Sequence, residues 1–141
     1  MEILQNGAVI GVTIGNGRND GKPRVYATCF HGSVYEFEWT ESGWLKVKMG
    51  QAPLWPYMAT VGKDIVIADG RGDGKLRVYA TCGYGVGIHE FEWTGSSWIK
   101  KEIDSGPTTT ISVGDARGDG KPRVYGCFSI YIYELEWTNQ K

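Results

Sequence analysis

Short segments of the chain alternate between apolar and polar residues with a period of two. In VYEFEW (34–39), three aromatic residues alternate with glutamates, which is typical of a β-strand with one apolar face. The segments RVYATC (24–29), DIVIADG (64–70) and TISVGDA (110–116) are rich in residues favoured in strands, above all valine and isoleucine. Together these patterns predict an all-β fold.

The predicted strands belong to a unit that occurs three times. A glycine-rich string followed by a strand recurs as NGRNDGKPRVYATC (16–29), DGRGDGKLRVYATC (69–82) and DARGDGKPRVYGCF (115–128). Each copy precedes a second shared string, at 34–47, 88–101 and 132–140. Because glycine readily adopts positive φ, the DGRGDGK string predicts a hairpin between strands A and B. With strands C and D, a complete unit has the four antiparallel strands of a β-propeller blade.

The unit boundaries predict a three-blade propeller half over residues 1–141, with blades at 8–49, 59–104 and 108–138. The third unit stops after strand C, and residues 1–7 align with a strand D, so we expect the N-terminal strand to complete the last blade. Three blades cannot close a ring, because propellers have four to eight. The sequence therefore predicts a homodimer with a six-bladed ring, although a nine-bladed trimer and an excised or designed half-propeller stay open.

Charge and cysteine content exclude several other classes of protein. The chain has 15 basic and 16 acidic side chains, a balance that argues against a nucleic-acid partner. No apolar run is long enough for a transmembrane helix, and the first residues lack the features of a secretory signal. The three cysteines, Cys29, Cys82 and Cys127, show no zinc-site spacing and fit a reducing compartment. We therefore expect a cytoplasmic protein without a membrane partner.

The A–B loop carries a resemblance to a known family. The string Asp115-Ala-Arg117-Gly-Asp119-Gly120 is similar to the loop marker of FG-GAP/VCBS repeats, which build integrin-α-type propellers. The resemblance extends over all three units. It implies a propeller fold and a loop that, in this family, often binds calcium.

Calcium is nevertheless disfavoured as a cofactor by the charges in these loops. All six arginines of the chain occupy two positions of the loop: Arg18, Arg71 and Arg117 at the third, and Arg24, Arg77 and Arg123 at the ninth. A hard cation needs anionic or carbonyl oxygens, and a loop with net positive charge supplies them poorly. We predict instead that aspartate–arginine pairs hold each hairpin, with anion or sugar binding by the arginines as the alternative.

Aromatic residues give the other candidate sites. Strand C ends in a tryptophan in every unit, at Trp39, Trp93 and Trp137, while Trp55 and Tyr57 lie in a loop outside the repeat. Tryptophan together with arginine and glutamate suits a sugar site, because the ring stacks on a pyranose while charged groups bond its hydroxyls. The structural alternative is that the aromatic rows pack between blades, with Trp55 and Tyr57 forming a cap or a contact surface.

These observations predict a non-enzymatic binding propeller, because no nucleophile or metalloprotease motif is present. Lectin-like carbohydrate binding is the favoured function. The alternatives are a protein–protein interaction scaffold that uses the loop 54–58 or a propeller face, and a structural half-propeller without a ligand.

Overall fold

A computed structural model describes residues 1–4, 9–29, 32–51, 62–82, 87–106, 108–128 and 130–138. These residues form eleven antiparallel strands in three sheets and contain no helix, which confirms the predicted all-β class. The first sheet contains β1 (Val9–Gly15), β2 (Arg24–Cys29), β3 (Ser33–Thr40) and β4 (Gly43–Gln51). The second contains β5 (Gly62–Ala68), β6 (Arg77–Cys82), β7 (Gly87–Trp93) and β8 (Trp98–Asp104). The third contains β9 (Thr110–Gly114), β10 (Arg123–Phe128) and β11 (Tyr131–Leu135).

In each sheet, neighbouring strands are consecutive in the chain, as the sequence pattern predicts for strands A to D. The glycine-rich loop between the first two strands is held by its first side chain. The carboxylate of Asp69 accepts hydrogen bonds from the backbone N–H groups of Gly72, Asp73 and Gly74, at 2.7, 3.1 and 2.8 Å. Gly74 has a φ of 85°, a conformation that a residue with a Cβ rarely adopts. The glycine in the motif is thus required for the turn.

The three sheets pack face to face in chain order, with one apolar layer at each junction. The layer between the first and second sheets is formed by Tyr26, Val34, Met49, Ile65, Val78, Ala80 and Phe91. The layer between the second and third is formed by Tyr79, Ile88, Ile111 and Val124. Because β-strand side chains alternate between faces, the second sheet buries one residue set against each neighbour.

Several predictions concern residues beyond those described. Residues 1–4 adopt no strand and residues 5–7 are not described, so a strand D at 1–7 stays a prediction, as do the blade boundaries. Trp55 and Tyr57 also lie outside the described residues. Cys29 and Cys127 form no disulfide, and the compartment stays a prediction. No helix of the described part is long and apolar enough to cross a membrane.

Candidate functional site

The predicted aspartate–arginine pairs are present in all three loops. The Arg77 guanidinium donates to both carboxylate oxygens of Asp73, at 2.9 and 2.7 Å, and its Nε donates to Glu92 at 2.6 Å. The hydrogen bonds from Arg77 hold the pKa of Asp73 well below its usual range. The equivalent groups are Arg24 with Asp20 and Glu38, and Arg123 with Asp119 and Glu136. Each pair ties the loop to the strand that follows it.

In the second of these loops, both aspartates already accept hydrogen bonds. Asp69 uses both carboxylate oxygens to accept backbone N–H groups, and those of Asp73 accept from Arg77. No group of three or more histidine, cysteine, aspartate or glutamate side chains suited to a metal occurs among the residues described. Asp69 and Asp73 thus hold the loop and Arg77, and the prediction that calcium is disfavoured still rests on the charge of the loops.

A second arginine in each loop binds a glutamate of the third strand, which is buried in the first two sheets and exposed in the third. Arg71 Nε donates to Glu90 at 3.2 Å, and the Tyr79 hydroxyl donates to the same Glu90 oxygen at 2.8 Å. Burial raises the pKa of Tyr79, and the neighbouring Glu90 carboxylate raises it further. The equivalent groups are Arg18 with Glu36 and Tyr26, and Arg117 with Glu134 and Tyr125.

Sequence reasoning missed these glutamates as partners of the third-position arginines. The residues of each pair are 17 to 19 positions apart, so no local motif joins them. The available signal was their recurrence, because an arginine in the loop is followed by a glutamate at nearly the same distance in every unit. A carboxylate on a buried strand needs a cation partner.

The arginines also reach across the junctions between sheets. The Arg18 guanidinium lies over the Trp93 ring of the second sheet, 3.8 Å from its centre, and Arg71 lies 3.9 Å from the centre of Trp137. Such cation–π contacts stabilise a junction when the charge is partly desolvated. The structure thus brings together Arg18 with Trp93 and Arg71 with Trp137. Arg117 and Trp39 have no such contact within the described residues, and both are exposed.

Two equivalent clefts open at these contacts. One has a volume of about 540 Å³ and the other about 400 Å³. An arginine, a lysine, a tryptophan and a threonine line each cleft: Arg18, Lys75, Trp93 and Thr94 in the first, and Arg71, Lys121, Trp137 and Thr138 in the second. The sequence reasoning missed the lysines and threonines, which come from the sheet that also carries the tryptophan, whereas the arginine comes from the neighbouring sheet.

The chemistry of the clefts suits a small polyhydroxylated ligand. An ammonium group and a hydroxyl supply hydrogen bonds, while the tryptophan supplies an apolar surface next to them. The arginines are already bonded to Glu36 and Glu90, and their guanidinium groups cover part of the Trp93 and Trp137 rings. A ligand would therefore contact the uncovered parts of the rings.

His89 is buried at the junction between the first and second sheets, where the other units have a tyrosine. Burial lowers the pKa of His89, and the positive charge of Lys100 lowers it further. A histidine with a lowered folded-state pKa destabilises the fold as pH falls through the unfolded-state pKa of about 6.5.

We therefore expect the melting temperature to decrease between pH 7.5 and 5.5, and the His89→Tyr variant to show a smaller decrease. Thermal unfolding followed by circular dichroism measures both slopes. The contribution of His31 is common to the two proteins and cancels in the comparison. Equal slopes would show that folding does not change the pKa of His89.

A scan of the sequence against models of known protein families finds no match. A search of the curated proteins finds no match either. The resemblance to FG-GAP/VCBS repeats therefore stays a prediction that rests on the loop residues.

Proposed function

We propose that this chain is a non-enzymatic binding protein that assembles with a second copy into a six-bladed β-propeller and binds carbohydrate in the clefts between its sheets. The single observation that carries the ligand proposal is the repetition of the same four residue types at two equivalent clefts. Repeated equivalent clefts suit multivalent binding. The proposal includes no metal, cofactor or nucleic acid.

An array of immobilised oligosaccharides tests this function. We expect binding to at least one glycan, and binding of that glycan at these two clefts to weaken about tenfold or more in Lys75→Gln/Lys121→Gln, because a hydrogen bond to a charged group contributes about 1.5–3 kcal/mol. These lysines line the clefts without belonging to the arginine–glutamate clusters.

The control for this experiment is Lys100→Gln, which removes the same charge from an exposed position outside both clefts. The affinity of this variant should equal that of the wild type. If no glycan binds at high protein concentration, or if the control loses as much affinity as the double variant, the carbohydrate proposal is wrong.

A protein–protein interaction scaffold is the second candidate function. The exposed apolar residues Val12 and Ile14, which lie on one face of β1, support it, because monomeric proteins seldom expose large contiguous apolar patches. A pull-down with wild type and with a variant lacking residues 50–60 addresses the predicted loop contact. A half-propeller that retains no ligand would give negative results in both experiments.

A further inference from the structure

The two junctions inside the chain show how one sheet fits on the next. At the first junction, the Asn19 side chain donates to the Leu76 carbonyl at 3.0 Å and accepts from the Leu76 N–H at 2.7 Å. At the second, Gly72 takes the place of Asn19, and a Cβ there would lie 3.1 Å from Cδ of Pro122. Proline has no backbone N–H that could donate to an asparagine side chain. Asparagine therefore faces leucine at the first junction, and glycine faces proline at the second.

The two ends of the chain carry the unmatched halves of a third junction. Gly118 of the third sheet is equivalent to Gly72, and nothing lies within 4 Å of the position that its Cβ would occupy. Pro23, before β2 of the first sheet, is equivalent to Pro122. Gly118 and Pro23 are thus of the same residue types as the pair that meets at the second junction.

The two residues of a third arginine–tryptophan stack also lie at opposite ends of the chain. The Arg117 side chain is 56% exposed, against 18% for Arg18, which lies on a tryptophan. Trp39, at the other end, is 64% exposed. Arg117 and Trp39 are the equivalents of the residues that stack at the two internal junctions.

Apolar residues on the outer sheets are also exposed where the equivalent residues at the internal junctions are buried. Val12 of β1 is 65% exposed and Ile132 of β11 is 83% exposed. Their equivalents are all buried at the internal junctions: Ile65 and Ile111 for Val12, and Val34 and Ile88 for Ile132. Phe37, on the same face as Val12, is buried within the chain. The exposed part of this face is formed by β1, Trp39 and the residues of β4 that share the face, Trp44, Lys46 and Lys48.

We propose that a second copy of this chain covers both faces by head-to-tail docking, with Arg117 stacked on Trp39 of the second copy and Gly118 against its Pro23. This inference rests on the proposed homo-oligomer and specifies its interface. Two such contacts close a ring of two chains with two-fold symmetry. Each contact also creates a cleft that neither chain has alone, between Arg117 of one copy and Lys22, Trp39 and Thr40 of the other.

The oligomeric state of charged variants tests the docking. Light scattering after size exclusion should give twice the chain mass of 15.6 kDa for the wild type. Val12→Lys and Ile132→Lys should each weaken association by about a hundredfold or more, because each places an unpaired charge in the interface. Ser96→Lys, in an exposed turn of the second sheet, should stay dimeric.

The comparison of the two lysine variants identifies the mode of docking. If like faces docked together, only one variant would dissociate, whereas head-to-tail docking requires both. Arg117→Gln and Trp39→Ala should each weaken the dimer about fivefold, and the double variant should lose no more than either alone. Additive losses would contradict the proposed stack.

The stoichiometry of ligand binding separates this inference from the proposed function. A glycan that binds at the clefts should occupy three sites per chain in the wild type and two in monomeric Ile132→Lys. A wild-type dimer without any glycan leaves the docking supported and the lectin proposal wrong. A wild-type mass of 15.6 kDa, or of three chains, overturns the two-chain ring whether or not a glycan binds.

Discussion

Replacing Glu90 by glutamine is expected to lower the free energy of unfolding by about 2–4 kcal/mol, because it breaks a buried ion pair. Glu90 is buried and accepts hydrogen bonds from Arg71 and from the Tyr79 hydroxyl. Glutamine keeps the shape and can still accept from Tyr79, but it leaves the Arg71 charge without its counter-ion. Arg71 is itself partly exposed, so the loss should fall below that of a fully buried pair.

Glu92→Gln is the matched control for this variant. Glu92 lies two residues further along the same strand and also accepts from an arginine, Arg77. Its side chain is about one third exposed, and Arg77 keeps Asp73 as a partner, so the loss should be about 1 kcal/mol or less. Urea unfolding at neutral pH and one protein concentration measures both variants. Equal losses would mean that burial does not decide the strength of these pairs.

The burial that decides the strength of these ion pairs could not be predicted from the sequence, although the positions of the strands could. The alternation in VYEFEW (34–39) predicts β3, and the glycines predict the hairpin loops, because both depend on neighbouring residues. The pair of Asp20 and Arg24 could also be predicted, since its members are four residues apart in one loop. In each of these cases the prediction depends only on residues that are close together in the sequence.

Contacts between sheets could not be predicted in the same way. Arg18 and Trp93 belong to different units, and nothing in a single unit indicates that they meet. The sequence alone predicts tryptophan and arginine together as a sugar site, whereas in the structure the arginine covers part of the ring. Lys75 and Thr94 share a cleft with Arg18 because the first and second sheets pack against each other.

The packing of the first two sheets is expected to depend most strongly on Phe91. This ring is buried in the layer between them, so Phe91→Ala should lower the free energy of unfolding by about 3–5 kcal/mol. Leu135→Ala is the matched control, because Leu135 is the equivalent residue of the third sheet and is only partly buried. Its loss should be clearly smaller, about 1–2 kcal/mol.

Gly50 of β4 supplies a sharper test of the same contact. A Cβ at Gly50 would lie 2.9 Å from Cε1 of Phe91, so Gly50→Ala alone should cost about 1–3 kcal/mol through overpacking. In the Phe91→Ala protein the added methyl enters the space that the ring has left, and the same substitution should be nearly neutral. Urea unfolding of the four proteins gives the coupling, which should exceed about 1 kcal/mol. Additive losses would show that Phe91 does not pack against Gly50. The described packing at the junction between the first two sheets would then be wrong.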